Sequence, residues 1–184
     1  YGNPPLAQWL QGRANTTLGT FAEAARAGDV LINATSGAGS LPALEAAGAA
    51  RLDGKILIDI ANPLDFSRGF PPSLTVCNTD SLGEQIQRAF PALRVVKVLN
   101  TLNAGLMVNP AALPGDHVLF MCGNDAGAKV QVASLLGEWF GWKAQNILDL
   151  GDISNARGTE MLLPLWVRLF AAFGNAQFNF NIVR

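Results

Sequence analysis

The sequence predicts an α/β fold: a Rossmann-type, doubly wound, mostly parallel sheet with helices on both faces. Three observations predict it. Four short apolar runs, residues 29–34, 55–60, 94–99 and 117–122, are rich in β-branched side chains and apolar on both faces. Strands buried under helices on both sides read that way. Helix-like stretches separate the runs, which yields the strand–helix–strand unit of a parallel sheet. The runs also end in similar polar turns, Thr35-Ser36-Gly37, Asn62-Pro63, Asn100-Thr101 and Gly123-Asn124. Open α/β sheets bind ligands beyond the carboxyl ends of their strands.

Composition bounds what such a fold can serve. The 184 residues suit one domain with a sizeable core, and 49 % are apolar against 15 % charged. Net charge is −1 and no basic cluster occurs, which argues against nucleic acid or an anionic membrane surface as partner. Cys77 and Cys122 lie far apart and outside any C-x-x-C pattern, as expected of reduced thiols in a cytoplasmic setting. His117 is the only histidine, which makes a His-based triad or a multi-His metal site hard to build, and no metal site is expected. The longest apolar run, 161–173, is too short to span a membrane and is interrupted by Pro164 and Arg168. It reads as a buried or partner-facing helix and suggests a homodimer.

In chain order, Pro4-Pro5 open a helix through Leu6, Trp9 and Leu10 that Gly12 closes. Residues 16–19 read as a short strand. Thr20 with Glu23 three residues on is a capping-box pattern for a helix over 21–27, ended by Gly28. The first buried strand follows, then a flexible lip over 35–39 and an Ala- and Leu-rich helix over 40–50 with Pro42 in its first turn. After the second strand, 67–72 is a loop and 75–78 is extended. Asp80 or Ser81 caps a helix through Phe90. The third strand leads to a short helix over 104–108, and the fourth to a turn at 123–125 and a long helix over 126–140. Residues 143–150 are extended, and a final long helix starts near Asn155. In the tail, Phe178, Phe180 and Ile182 alternate with Asn179, Asn181 and Val183, as a strand or a packed extension would.

The stretch 55–66 places Asn62 and Pro63 at a strand end. Pro63 lacks an N–H and forces a rigid exit, and the Asn62 amide offers donors and an acceptor at that lip. The plain alternative is a strand-terminating Asn-Pro turn. Gly37-Ala38-Gly39 resembles the start of a dinucleotide fingerprint, G-x-G-x-x-G, and Asp59 lies about twenty residues on, where an acidic residue would meet a ribose. Pro42 occupies the third glycine position, however, and 33–36 insert residues before the first glycine. The stretch therefore reads as a backbone-rich lip that lets a flat cofactor lie close. His117 reads as structural, Arg157 and Glu160 as a mutual pair three apart on one helix, and the four tryptophans as core or interface.

Five segments in one register carry a family resemblance. They are D-V-L-I-N-A-T-S at 29–36, K-I-L-I-D-I-A-N-P-L at 55–64, V-V-K-V-L-N-T-L-N-A at 95–104, M-C-G-N-D at 121–125 and D-L-G-D-I-S-N-A-R-G-T-E-M-L-L-P-L at 149–165. Together they resemble the deazaflavin-dependent NADP oxidoreductase family, and are similar to the cytoplasmic NADPH-binding domains of the six-transmembrane metalloreductases. The resemblance implies NADP as cofactor and hydride transfer between it and a deazaflavin, flavin or related acceptor. It implies that Thr35, Ser36, Gly37 and Leu41 line one side of the nicotinamide site, with Asn62, Pro63 and Leu64 beneath and Asn100 and Ala104 beyond. The small Gly37 and Ala104 would let a second ring approach, and Asn62 or Asn100 would orient the carboxamide. Hydride transfer between stacked rings requires no general acid or base, so no catalytic side chain is expected.

Members of that family begin with a strand, a Gly-rich turn and a second strand ending in Ser-Arg or similar. This sequence starts after that point, so the resemblance implies an upstream βαβ portion of about thirty to forty-five residues. Two further readings stay open: a non-catalytic nucleotide-binding or redox-sensing protein, and an interaction module completed by a partner chain. Residues that select NADP over NAD would lie in the upstream portion, and the acceptor is open among a deazaflavin, a flavin and a metal chelate.

Overall fold

The computed structural model describes residues 5–183. Five strands form the central sheet: β1 (Val30–Asn33), β2 (Ile56–Asp59), β5 (Arg94–Val98), β6 (Leu119–Cys122) and β7 (Ile147–Asp149), in the spatial order β1-β2-β5-β6-β7. A small antiparallel pair, β3 (Leu64–Asp65) and β4 (Ser73–Leu74), stands beyond the end of β2. The large sheet is parallel except between β5 and β6. The connection there holds only the five-residue α6 (Ala104–Val108) and a short 3₁₀ turn. No helix long enough to carry the chain back to the start of the sheet is present in it, so β6 enters antiparallel.

Strand alternation splits the core into two layers, as a period of two requires. Leu57, Val95 and Cys122 face α2 (Phe21–Ala27), α3 (Gly37–Ala47), α4 (Ala49–Leu52), α5 (Leu82–Ala89) and α8 (Ala156–Met161). Ile56, Ile58, Val96, Val98, Leu119 and Met121 face α7 (Ala126–Phe140) and Trp142. The predicted doubly wound fold is thus present, with helices on both faces. Helix starts follow local capping chemistry. Thr20 and Glu23 form the reciprocal capping box, and Ser81, Asn103 and Asp125 accept backbone N–H bonds at the starts of α5, α6 and α7. Gly141 and Gly174, both left-handed, end α7 and α9 (Leu163–Phe173).

The structure departs from the sequence reading at several points. Residues 16–19 are not a strand: the Thr16 N–H and hydroxyl both turn back to the Arg13 carbonyl. Pairing near 75–78 falls instead at Ser73–Leu74. The lip at 37–39 is the first turn of α3, which places Pro42 inside that helix. The final helix divides into α8 and α9, because Pro164 has no N–H to offer the Glu160 carbonyl four residues back. The tail is a packed extension. Val118 donates its N–H to the Phe180 carbonyl at 2.9 Å, and the Asn179 amide donates to His117 Nδ1 and the Val118 carbonyl, both at 2.8 Å. The first helix, α1 (Leu6–Trp9), forms as expected, with Pro5 as its N-cap; Pro4 lies outside the described residues. Among the described residues, no helix is long and apolar enough to cross a membrane.

Candidate functional site

A cleft of about 650 Å³ opens beyond the carboxyl ends of β1 and β2. Ala34, Thr35, Ser36 and Gly37 form one wall; Ile60, Ala61 and Asn62 form the other; Leu64 and Phe66 close it from the β3 side. The position follows from topology: both strands run toward this rim, and the chain leaves β1 into α3 and β2 into the Asn-Pro turn. The walls meet tightly at their base. A Cβ placed on Gly37 would stand 2.2 Å from the Asn62 carbonyl oxygen, so only glycine fits there.

Beneath the walls lies a buried polar row. Asn33, Asp59, Lys97 and Cys122 are in register across β1, β2, β5 and β6, on one face of the sheet. Asn33 donates from Nδ2 to Asp59 Oδ1 (2.8 Å) and to the Ser40 hydroxyl (3.0 Å). Lys97 Nζ donates to Asp59 Oδ2 (2.9 Å) and to the Ala61 carbonyl (2.5 Å), and pairs with Glu160 Oε1 at 2.9 Å. Glu160, on α8, also accepts the first N–H groups of α5, from Leu82 at 2.8 Å and Gly83 at 3.0 Å. Its carboxylate thus sits at the positive end of that helix. Burial pushes the Lys97 ammonium down in pKa, but Asp59 and Glu160 outweigh it, and the net direction is up. Removing one member of such an array costs about 3–5 kcal/mol, since the remaining charges stay buried.

The predicted site residues divide into groups. Thr35, Ser36, Gly37, Asn62 and Leu64 come together on the cleft walls. Leu41 turns into the core layer with Leu44 and Leu57. Pro63 is buried behind the turn, its carbonyl held by the Thr75 N–H. Asn100 is buried and reaches the cleft only through Asn62: its Nδ2 donates to Asn62 Oδ1 (3.0 Å) and its carbonyl accepts from Asn62 Nδ2 (2.8 Å). Ala104 is exposed at the start of α6 and does not line the cleft. Asp59 faces Lys97 rather than any ribose position. The expected Arg157–Glu160 pair does not form. Arg157 instead chelates Glu84 at 2.5 and 2.8 Å, because the turn of α8 aims the two side chains at different neighbours. His117 is structural as read, bonded to the Pro110 carbonyl and Asn179.

Sequence reasoning missed Ala34, Ile60, Ala61 and Phe66 on the walls, and the array below them. A signal for the array existed: Asp59 and Lys97 interrupt strands otherwise apolar on both faces, and a charge there must find a partner. No local pattern marks Glu160 as that partner.

The cleft suits a flat, largely apolar ring bearing one amide. Among the described residues, no ionisable side chain lines it. Asn62 retains a second amide hydrogen and a second acceptor lone pair beyond its bonds to Asn100. Asn100 Oδ1 is buried with no partner among the described residues. The Ser36 side chain caps none of the first N–H groups of α3, which leaves backbone donors at the rim.

No protein-family model matches the chain. A stretch of 121 residues, 63 % of the chain, is 32 % identical to Metalloreductase STEAP3 of Rattus norvegicus, and the match spans only 22 % of that relative. The structure is similar to the crystal structure of a candidate F420-dependent NADP-reductase from Arthrobacter sp. FB24. Identity is 56 %, the TM-score is 0.93, and the match covers 98 % of this chain and 81 % of that one. It shares its fold with the NADP-bound pyrroline carboxylate reductase of Plasmodium falciparum, at a TM-score of 0.50 and 16 % identity over 89 % of this chain and 54 % of that one.

Proposed function

Because this chain belongs to the family of F420-dependent NADP reductases, we propose that it binds NADP(H) across the ends of β1 and β2 and transfers a hydride between it and a deazaflavin, flavin or related acceptor. The observation that carries this reading is the cleft itself, uncharged, walled by small and apolar residues, with the Asn62 amide on one wall fixed from behind by the buried Asn100. When bound, NADPH would supply a hydride and solvent one proton, together reducing the oxidised acceptor and leaving NADP⁺. The chain's own residues bind, orient and dry the site. Asn62 holds the carboxamide in one orientation, because its own amide is fixed by two bonds to Asn100. Gly37 keeps the wall thin, and Leu64 and Phe66 exclude water from the ring faces. The same reading assigns the protein to the cytoplasm and to a homodimer formed through α9.

The test is an NADPH titration followed by single-turnover transfer to a deazaflavin and to a flavin. Wild-type protein is expected to reduce at least one of them. Asn62→Leu is expected to slow transfer or weaken NADPH binding by about tenfold, the loss of one orienting polar contact. Unchanged kinetics in that variant would remove Asn62 from the site, and binding without transfer to any acceptor would favour a nucleotide sensor.

A further inference from the structure

Lys97 lies one layer below the cleft and is not among the residues that line it. A buried ion array is a poor way to stabilise a sheet, since well-packed apolar residues of similar volume often do as well or better. The bonds of this one point to another use. The Lys97 ammonium has three protons; two meet Asp59 and Glu160, and the third meets the carbonyl of Ala61, a residue of the cleft wall. Asp59 Oδ1 takes the N–H of that same Ala61 at 3.2 Å, so both backbone groups of one wall residue are tied to the array. Asp59 also accepts from Asn33, whose Oδ1 takes the Thr35 hydroxyl at 2.8 Å and the Thr35 N–H at 3.3 Å on the opposite wall. The two walls, carried by different strands, are therefore joined through Asp59, and Lys97 holds both that carboxylate and the Ala61 carbonyl.

We propose that Lys97 is a positioning residue that sets the spacing and orientation of the Thr35 and Ala61–Asn62 walls, and through them the alignment of the bound ring. This rests on the NADP reading for its effect on rate, and on geometry alone for its effect on the walls. Binding draws on many contacts, whereas hydride transfer depends steeply on alignment, so the rate constant moves more than the affinity.

The experiment uses the full chain with three variants: Lys97→Met; the neutral array Lys97→Met with Asp59→Asn and Glu160→Gln; and Lys55→Met as control. The neutral array strands no buried charge and keeps the Asp59 position able to accept from Ala61 and Asn33, so at the cleft walls it removes only the Lys97–Ala61 bond; Glu160→Gln also leaves one oxygen for the Leu82 and Gly83 N–H groups, away from the walls. Lys55 binds the Ala25 and Gly28 carbonyls at the far end of β2, so its loss reports stability without touching the cleft. Hydrogen exchange at residues 33–37 and 59–64 is read beside NADPH affinity and single-turnover transfer. Lys97→Met is expected to exchange about tenfold faster at both walls and the neutral array at 59–64, with 95–96 still protected; both are expected to transfer about tenfold slower and to bind NADPH within about threefold of wild type. The control is expected to change neither the walls nor the rate. A folded Lys97 variant with unchanged exchange at the walls, or with loosened walls and an unchanged transfer rate, overturns the proposal. Failure of both Lys97 variants to fold assigns the ion to folding alone and overturns it as well. A wild-type protein that binds no NADPH, with walls still loosened in the variants, would sink the proposed function and leave the positioning of the walls standing.

Discussion

At Gly37 the fit between cleft wall and Asn-Pro turn leaves room for one hydrogen. Gly37→Ala must push the Asn62 backbone away, which is expected to cost about 2 kcal/mol or more and to weaken NADPH binding in the same variant. Gly123→Ala is a matched comparison: its Cβ would stand 2.5 Å from the Val95 carbonyl oxygen, between β5 and β6 and away from the cleft. It is expected to lose stability in urea denaturation and leave nucleotide affinity alone; equal effects on affinity would show that the Gly37 result is not local. The cysteines divide just as sharply. Cys77 is exposed, whereas Cys122 is buried in the polar row and burial pushes its thiol up to about 12. Below that pH Cys122 is a neutral thiol and a poor nucleophile. At pH 8 a thiol reagent is expected to modify Cys77 quickly and Cys122 only after denaturation, and fast reaction of both would contradict the packing of β6. Exposure at 77 could not be read from the sequence, since spacing alone set neither cysteine apart.

At the scale of elements, α5 and α8 hold each other by charge. Glu84 is hydrogen-bonded and paired with Arg157, which holds its carboxyl below the ordinary 4.5; burial opposes this and loses. A carboxyl with a lowered folded pKa contributes stability that is full above its unfolded value and is lost as pH falls through the folded one. Stability is therefore expected to fall below pH 4.5, and Glu84→Gln to flatten that part of the profile. An unchanged acid slope would show that the pair carries no linkage. The helices that sequence reading located within a residue or two, α2, α5, α6 and α7, are those whose N-cap side chain bonds a backbone N–H within three residues, so the information is local. The break between α8 and α9 was less legible, although Pro164 marks it. Apolar character runs on through the break, and periodicity cannot distinguish one helix from two at an angle.

For the whole molecule, α9 stands out for three large apolar side chains left exposed on one helix. Only Leu163 and Val167 among its residues are buried, while Leu165, Phe170 and Phe173 are exposed by 38–56 %. If the proposed homodimer uses this face, Leu165→Glu is expected to lower dimer affinity at least about tenfold in sedimentation velocity, with NADPH affinity unaffected. A wild-type protein that sediments as a monomer at every concentration would end that reading.

The fold class, the core strands and the rim where the cleft opens were legible in the chain, because each rests on signals within a few residues: apolar runs, caps, and an Asn-Pro stop. Five of the nine named site residues, Thr35, Ser36, Gly37, Asn62 and Leu64, meet in the cleft because they follow directly on β1 and β2. What the chain could not declare is which side chains answer one another across it. Lys97 and Glu160 are brought to 2.9 Å by the packing of α8 on the sheet, and Asn100 is turned inward onto Asn62 rather than outward to the cleft. Those choices are made by burial: once a charge or amide is taken from water it must bond whatever polar group lies nearest in space, and distance along the chain has no part in that selection.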